Sequence, residues 1–184
     1  MPTYRQEYNN SMIMKMIGAV LVILSSTAMG VYFSTLTKGR VHDLKAFKKN
    51  ICLLRGDIRY AGTPLPEAMS MIGNRSNDHF KEFFLGLADE YQQMKGETFV
   101  EIWRKGTETY LKETYLTVAD REQVARLGEN LGFMDKEMQI KTIDLYLEQL
   151  DLEIEDSQQS VREKTRIYNL LGVLAGVFVT IIFI

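Results

Sequence analysis

The stretch Leu44–Ile58, LKAFKKNICLLRGDI, places Leu44, Phe47, Ile51, Leu54 and Ile58 at steps of three, four, three and four residues. Such steps keep side chains on one face of a 3.6-residue helix, whereas a half-buried strand needs alternate positions. Lys45, Lys48, Lys49 and Arg55 fill the intervening positions, so the stretch reads as an amphipathic helix with one face in a core. The same period recurs downstream. Ala61-Gly62-Thr63-Pro64 breaks the first helix near Tyr60, with Thr63 as N-cap and Pro64 at the first helical position of a short helix from Leu65 to Ile72, ended by Gly73. Asn77 or Asp78 starts a third helix, with Phe80, Phe83, Phe84, Leu87, Ala88 and Tyr91 inward and Gly96 at its end. Thr98 and Glu101 form a capping box before Phe99, Ile102 and Trp103. A fifth helix fits Val118 to Leu131, capped by Thr117 and Asp120 and stopped by Gly132, which is expected at positive φ. Asp135 caps the last, which runs through Met138, Ile143, Tyr146, Leu147, Leu150 and Ile154. No alternating strand pattern occurs. The expected fold is all-α, a bundle of about six helices.

The ends of the chain differ from its middle. Met16–Thr37 holds 22 residues without a charge, and Ile167–Ile184 holds 18 more. A bilayer core takes about 17 to 25 helical residues at roughly 1.5 Å each, so both read as transmembrane helices. The expected organisation is a tail over 1–15, a first transmembrane helix over 16–37, a helical domain over 38–166 and a second transmembrane helix over 167–184. The first segment has a rival reading as an export signal, with Lys15 as its charged start and Ser25 to Gly30 as a cleavage region. Against it, the apolar run continues through Val31, Tyr32 and Phe33 and then meets a cation cluster. Lys38, Arg40, Lys45, Lys48 and Lys49 follow the first segment, and Arg162, Lys164 and Arg166 precede the second. Only Arg5 and Lys15 lie outside them. Cations beside a span stay in the cytoplasm, which places the middle domain there and both termini on the far side. Gly172 and Gly176 form G-x-x-x-G, and Ser26 with Gly30 makes a comparable pair; either a helix-packing face or chance spacing accounts for them.

Composition excludes several functions. A formal charge of −2 argues against nucleic-acid binding, which needs a net basic surface. A single cysteine, Cys52, leaves no internal disulfide and reads as a small buried thiol. There is no G-x-x-x-x-G-K-[ST] phosphate loop, and His42 and His79 stand far apart without zinc-ligand spacing. Trp103 reads as a core anchor, and Met69 and Met71 as packing. No catalytic residue, cofactor or metal is expected. Charge is nonetheless uneven: residues 38–60 carry a net +5, while 148–156 carry Glu148, Asp151, Glu153, Glu155 and Asp156 with no cation. That acidic stretch is either a solvated helix face or a docking surface for a basic partner.

Three segments carry a family resemblance. Met14–Gly30, MKMIGAVLVILSSTAMG, is similar to the start of the stage III sporulation protein AB family. Tyr60–Ala68, YAGTPLPEA, and Leu127–Asp135, LGENLGFMD, match it too, as do the acidic last helix and terminal apolar segment. The resemblance spans about 14–184, leaving 1–13 without a counterpart. The two loop motifs also resemble the repeated cytoplasmic domain of type II secretion F-type platform proteins, present here once. The resemblance implies a membrane platform component of the channel between mother cell and forespore in endospore formation. It implies as partners a stage III sporulation protein AA-like ATPase and other stage III subunits, with a homo-oligomer left open. Within those motifs Gly62, Thr63, Pro64, Gly128, Gly132 and Asp135 read as turn and cap residues first, with partner contact second. The alternative reading is a membrane-anchored helical adaptor or regulatory protein unrelated to secretion.

Overall fold

A computed structural model describes residues 3–76, 79–93, 96–132 and 135–183; in the terminal helices, side chains of 3–13, 168–183 and several between lie outside the description. Among the described residues six α-helices follow in order: α1 Thr3–Gly56, α2 Leu65–Arg75, α3 Phe80–Gln92, α4 Phe99–Tyr110, α5 Val118–Leu131 and α6 Lys136–Phe183. A π-helical turn, Asp57–Ala61, extends α1. Among the described residues there is no strand, so the fold is all-α. The chain divides into two units, residues 38–159 and residues 1–37 with 160–184.

The core of 38–159 is the one that the helical period marks out. Leu44, Phe47, Ile51, Leu54 and Ile58 are all buried, as are Phe80, Phe83, Phe84 and Leu87 of α3 and Ile143, Leu147, Leu150 and Ile154 of α6. Phe47 is the hub, with Phe80 at 5.1 Å, Phe84 stacked at 6.2 Å and Tyr146 edge-on at 6.2 Å between ring centroids. One side chain of α1 thereby joins α3 to α6. The capping boxes at Thr98/Glu101 and Thr117/Asp120 form as expected, and the Met138 N–H donates to Asp135 at 2.9 Å to cap α6.

Several local expectations fail for identifiable reasons. Thr63 makes no cap: Pro64 occupies that position, with extended ψ of 147°, and Pro66 sits inside the first turn. Gly73 does not end α2, which runs to Arg75; its lack of a Cβ serves a close approach of α3 instead, since a Cβ there would meet Leu85 Cγ at 2.6 Å. Gly96 is at φ +84°, but α3 already ends at Gln92. The proposed starts at Asn77 and Asp78 lie outside the described residues. Tyr91 is exposed rather than inward.

Gly132 is right-handed, at φ −69°, so the left-handed stop expected there is absent. Of the glycines in the family motifs, the one at positive φ is Gly62, +64°, whose N–H returns to the Asp57 carbonyl and closes the π-turn. The two positions should respond differently. Gly62→Ala is expected to cost about 1–2 kcal/mol through backbone strain and Gly62→Asn less, since asparagine tolerates that region. Gly132→Val is expected to cost about 1–2 kcal/mol by overpacking, because its Cβ would stand 3.0 Å from Phe99 Cδ1 and Val100 Cγ2. There asparagine brings no rescue. Urea unfolding of the fragment 38–166 measures all four variants.

Among the described residues, no helix is long and apolar enough to cross a membrane. The 16–37 segment falls partly, and 167–184 almost wholly, on residues whose side chains are outside the description. Gly172, Gly176 and Ser26 are among these. Along the described part of α1, Ile17, Val20, Leu21, Leu24, Met29, Val31 and Tyr32 are all exposed.

Candidate functional site

The five acids marked out by sequence do not act as one surface. Asp151 pairs with Lys48, and Glu153 accepts from the Arg40 guanidinium at 3.0 Å. Arg55 reaches Asp144 at 2.6 Å. Partners 40/153, 48/151 and 55/144 run in opposite directions along the chain, so the basic half of α1 and the acidic part of α6 lie antiparallel. Two of those five acids, Asp151 and Glu153, are therefore engaged with 38–60 inside the fold. Glu148, Glu155 and Asp156 are exposed and make no ion pair among the described residues. Pairs such as Lys48–Asp151, both partly exposed, contribute at most about 1 kcal/mol and weaken with salt.

The Arg40 cluster is different because it is half-buried. Its Nε and Nη2 donate to both carboxylate oxygens of Asp120 at 2.8 and 2.7 Å, and its Nη1 donates to Ser157 Oγ at 2.8 Å. Asp120 is 3% exposed and also accepts from the Thr117 N–H at 2.8 Å, so the cap of α5 is the anchor for α1 and α6. Burial pushes the Asp120 carboxyl up, but Arg40, the Thr117 hydroxyl and the Thr117 N–H together hold it below the usual carboxylate range. The hydrogen bond to Asp120 leads in raising Arg40. Burial, then the nearby Asp120 and Glu153 charges, pushes the Tyr146 phenol up. One turn further along α1, Asp43 is buried and accepts from the Tyr115 N–H at 2.8 Å, tying α1 to the loop before α5. Sequence reading counted Arg40 as a topogenic cation and Asp120 as a cap, and did not join them. The available signal was Asp120 itself, since a capping carboxylate engages one oxygen and leaves the other needing a donor.

Gly62 of the first family motif lies near the side chain of Lys136, the residue after the second motif ends: a Cβ on Gly62 would stand 3.9 Å from Lys136 Nζ. Pro64 and Asp135 are exposed there, and Thr63 is half-buried. Gly128 belongs instead to the core, against the Trp103 ring, whose indole N–H donates to the Val124 carbonyl at 2.7 Å. His42 and His79, remote in sequence, line one open cleft of about 850 Å³ with Lys49, Arg75 and Glu113. Among the described residues, no cluster of three or more His, Cys, Asp or Glu side chains could hold a metal ion.

Fold and site define the class: an all-α helical bundle whose assembled polar groups hold helices to one another, with an acidic, partly exposed last helix. The chain belongs to the stage III sporulation protein AB family, whose model matches residues 15–184. It is similar to Stage III sporulation protein AB of Bacillus subtilis (strain 168), at 22% identity over 169 residues, covering 92% of this chain and 98% of that protein. A solved structure of Stage III sporulation protein AB (SpoIIIAB) superposes with a TM-score of 0.62 at 22% identity, over 67% of this chain and 97% of that one. At that identity the superposition speaks for the fold.

Proposed function

We propose that the chain is a membrane platform component of a secretion-like channel between mother cell and forespore, coupling a stage III sporulation protein AA-like ATPase to the membrane complex. Family membership carries the sporulation role. Membrane anchoring by 16–37 and 167–184 is supported by their 22 and 18 uncharged residues and by the exposed apolar side chains of α1. The cations around 38–49 and 162–166 favour a cytoplasmic middle domain with both termini outside. Nucleotide chemistry belongs to the partner in this reading, since the chain carries no phosphate-binding loop.

The exposed acids Glu148, Glu155 and Asp156 are the part of the acidic stretch left for the ATPase. Reversing these three to Lys is expected to weaken capture of the ATPase about tenfold at low salt while leaving the domain folded, because charge across an interface steers encounter and specificity. Glu153 is kept, since its loss would act through Arg40. Co-purification from detergent-solubilised membranes of sporulating cells tests the larger reading. A platform brings the ATPase and neighbouring stage III subunits with it; purification alone, or nucleotide hydrolysis by the purified chain, overturns it. Labelling of a cysteine at Asp89 by an impermeant reagent in intact cells, in a Cys52→Ser background, would overturn the topology.

A further inference from the structure

α6 has apolar residues on two opposite faces. Ile143, Tyr146, Leu147, Leu150 and Ile154 face the core, whereas Leu145 and Leu152 are each 68% exposed and Met138 is 49% exposed. Met138, Leu145 and Leu152 stand seven residues apart, and a helix drifts only ~20° per seven residues, so they form one row over about 20 Å. Among the described residues of 38–159, no other leucine is as exposed. The row is bordered by Lys141, Glu148 and Glu155, each three residues beyond one of its members, and Asp156 lies four residues beyond Leu152. Lys141 is paired with Glu137, whereas none of the three acids makes an ion pair among the described residues, so the unpaired border charge is acidic. Asp151 and Glu153, by contrast, are turned to α1.

We propose that this outward row of α6 is the seat of an amphipathic helix from a cytoplasmic partner, with apolar residues at seven-residue spacing flanked by Lys or Arg. The spacing fits a helix laid along α6, since apolar rows of this period pack against a like row. The charge of its border selects a basic partner. The same charge rejects an anionic lipid surface. It also rejects a second copy: two chains anchored in one membrane, as the platform reading requires, run α6 parallel and set Glu148 against Glu148 and Glu155 against Glu155. The inference rests on that reading for this last exclusion and narrows its docking face from a charged stretch to an apolar seam with charged borders.

The test uses the full chain in phosphatidylcholine nanodiscs and two fluorescent 21-residue helical peptides, each with leucine at seven-residue spacing, one bordered by arginine and one by glutamate. The arginine peptide is expected to bind at least tenfold more tightly than its glutamate twin. Leu145→Ser with Leu152→Ser should weaken it at least tenfold without moving the thermal midpoint, because both side chains are exposed. Glu148→Gln, Glu155→Gln and Asp156→Asn together should flatten its salt dependence. No preference between the peptides, binding unchanged by the serine pair, or a leucine-dependent dimer of the chain overturns the proposal. Co-purification separates the two ideas: an ATPase retained equally by wild type and the serine pair refutes the seam and leaves the platform standing. An ATPase absent from wild type refutes the platform, while the peptides still decide the seam.

Discussion

Arg40→Met is expected to destabilise the domain by about 2–3 kcal/mol, or on the order of 10 °C in Tm, the largest loss from any single charged side chain. Methionine keeps the length and packing of the stem but removes the guanidinium from a carboxylate that is 3% exposed. Breaking a buried pair from one side costs about 3–5 kcal/mol, because the remaining charge is left without water or partner; the partial exposure of Arg40 brings this down. The effect has a pH signature. Asp120 is held below its ordinary value in the folded wild type, so its contribution is fully present above the unfolded carboxylate pKa and is lost as pH falls through the folded one. In the variant, burial without the guanidinium raises that carboxyl, and protonation relieves the penalty. The gap between wild type and Arg40→Met should therefore be widest near pH 7 and shrink below about pH 4. Urea titrations of the 38–166 fragment across that range measure it. A gap independent of pH would place the loss in packing rather than in the ion pair.

Gly128→Ala should cost about 2–4 kcal/mol, although alanine is the better helix former by about 1 kcal/mol. A Cβ at 128 would stand 2.0 Å from Trp103 Cδ1, within the ring rather than at the end of a flexible chain. The indole has nowhere to retreat. It is fully buried, 5.3 Å from Phe83 and 5.7 Å from Phe99 between ring centroids, and its N–H is engaged by Val124. Displacing it breaks that hydrogen bond and opens the contact between α4 and α5. Because one ring bears the whole effect, Gly128→Ala should cost almost nothing in a Trp103→Ala background, where the space is already vacant. A double-mutant cycle reads this as a coupling of 2 kcal/mol or more, within the range of about 0.5–3 kcal/mol for residues in contact. Additive losses would mean that Gly128 serves the backbone of α5 and not the indole.

The helical period, the inward row of α1 and the caps at Thr98, Thr117 and Asp135 were determined by local sequence. A period of 3.6 and a Thr-x-x-Glu or Thr-x-x-Asp start are properties of neighbouring residues, which is why Leu44 to Ile58, Thr98 and Thr117 behave as read. What only the tertiary structure decided is which polar and small residues meet. Arg40 and Asp120 are 80 positions apart, and their pairing turns a topogenic cation and a helix cap into the buried tie among α1, α5 and α6. Asp151 and Glu153 are spent on α1, whereas Glu148, Glu155, Leu145 and Leu152 remain outward, a division set by the antiparallel register of two helices more than 80 residues apart. Gly73, Gly128 and Gly132 show the same limit from the other side. Glycine's lack of a Cβ permits both a left-handed turn and a close approach, and the chain's own pattern does not distinguish them. At Gly62 the π-turn demanded the first; at Gly73 and Gly128 the side chains of Leu85 and Trp103 demanded the second.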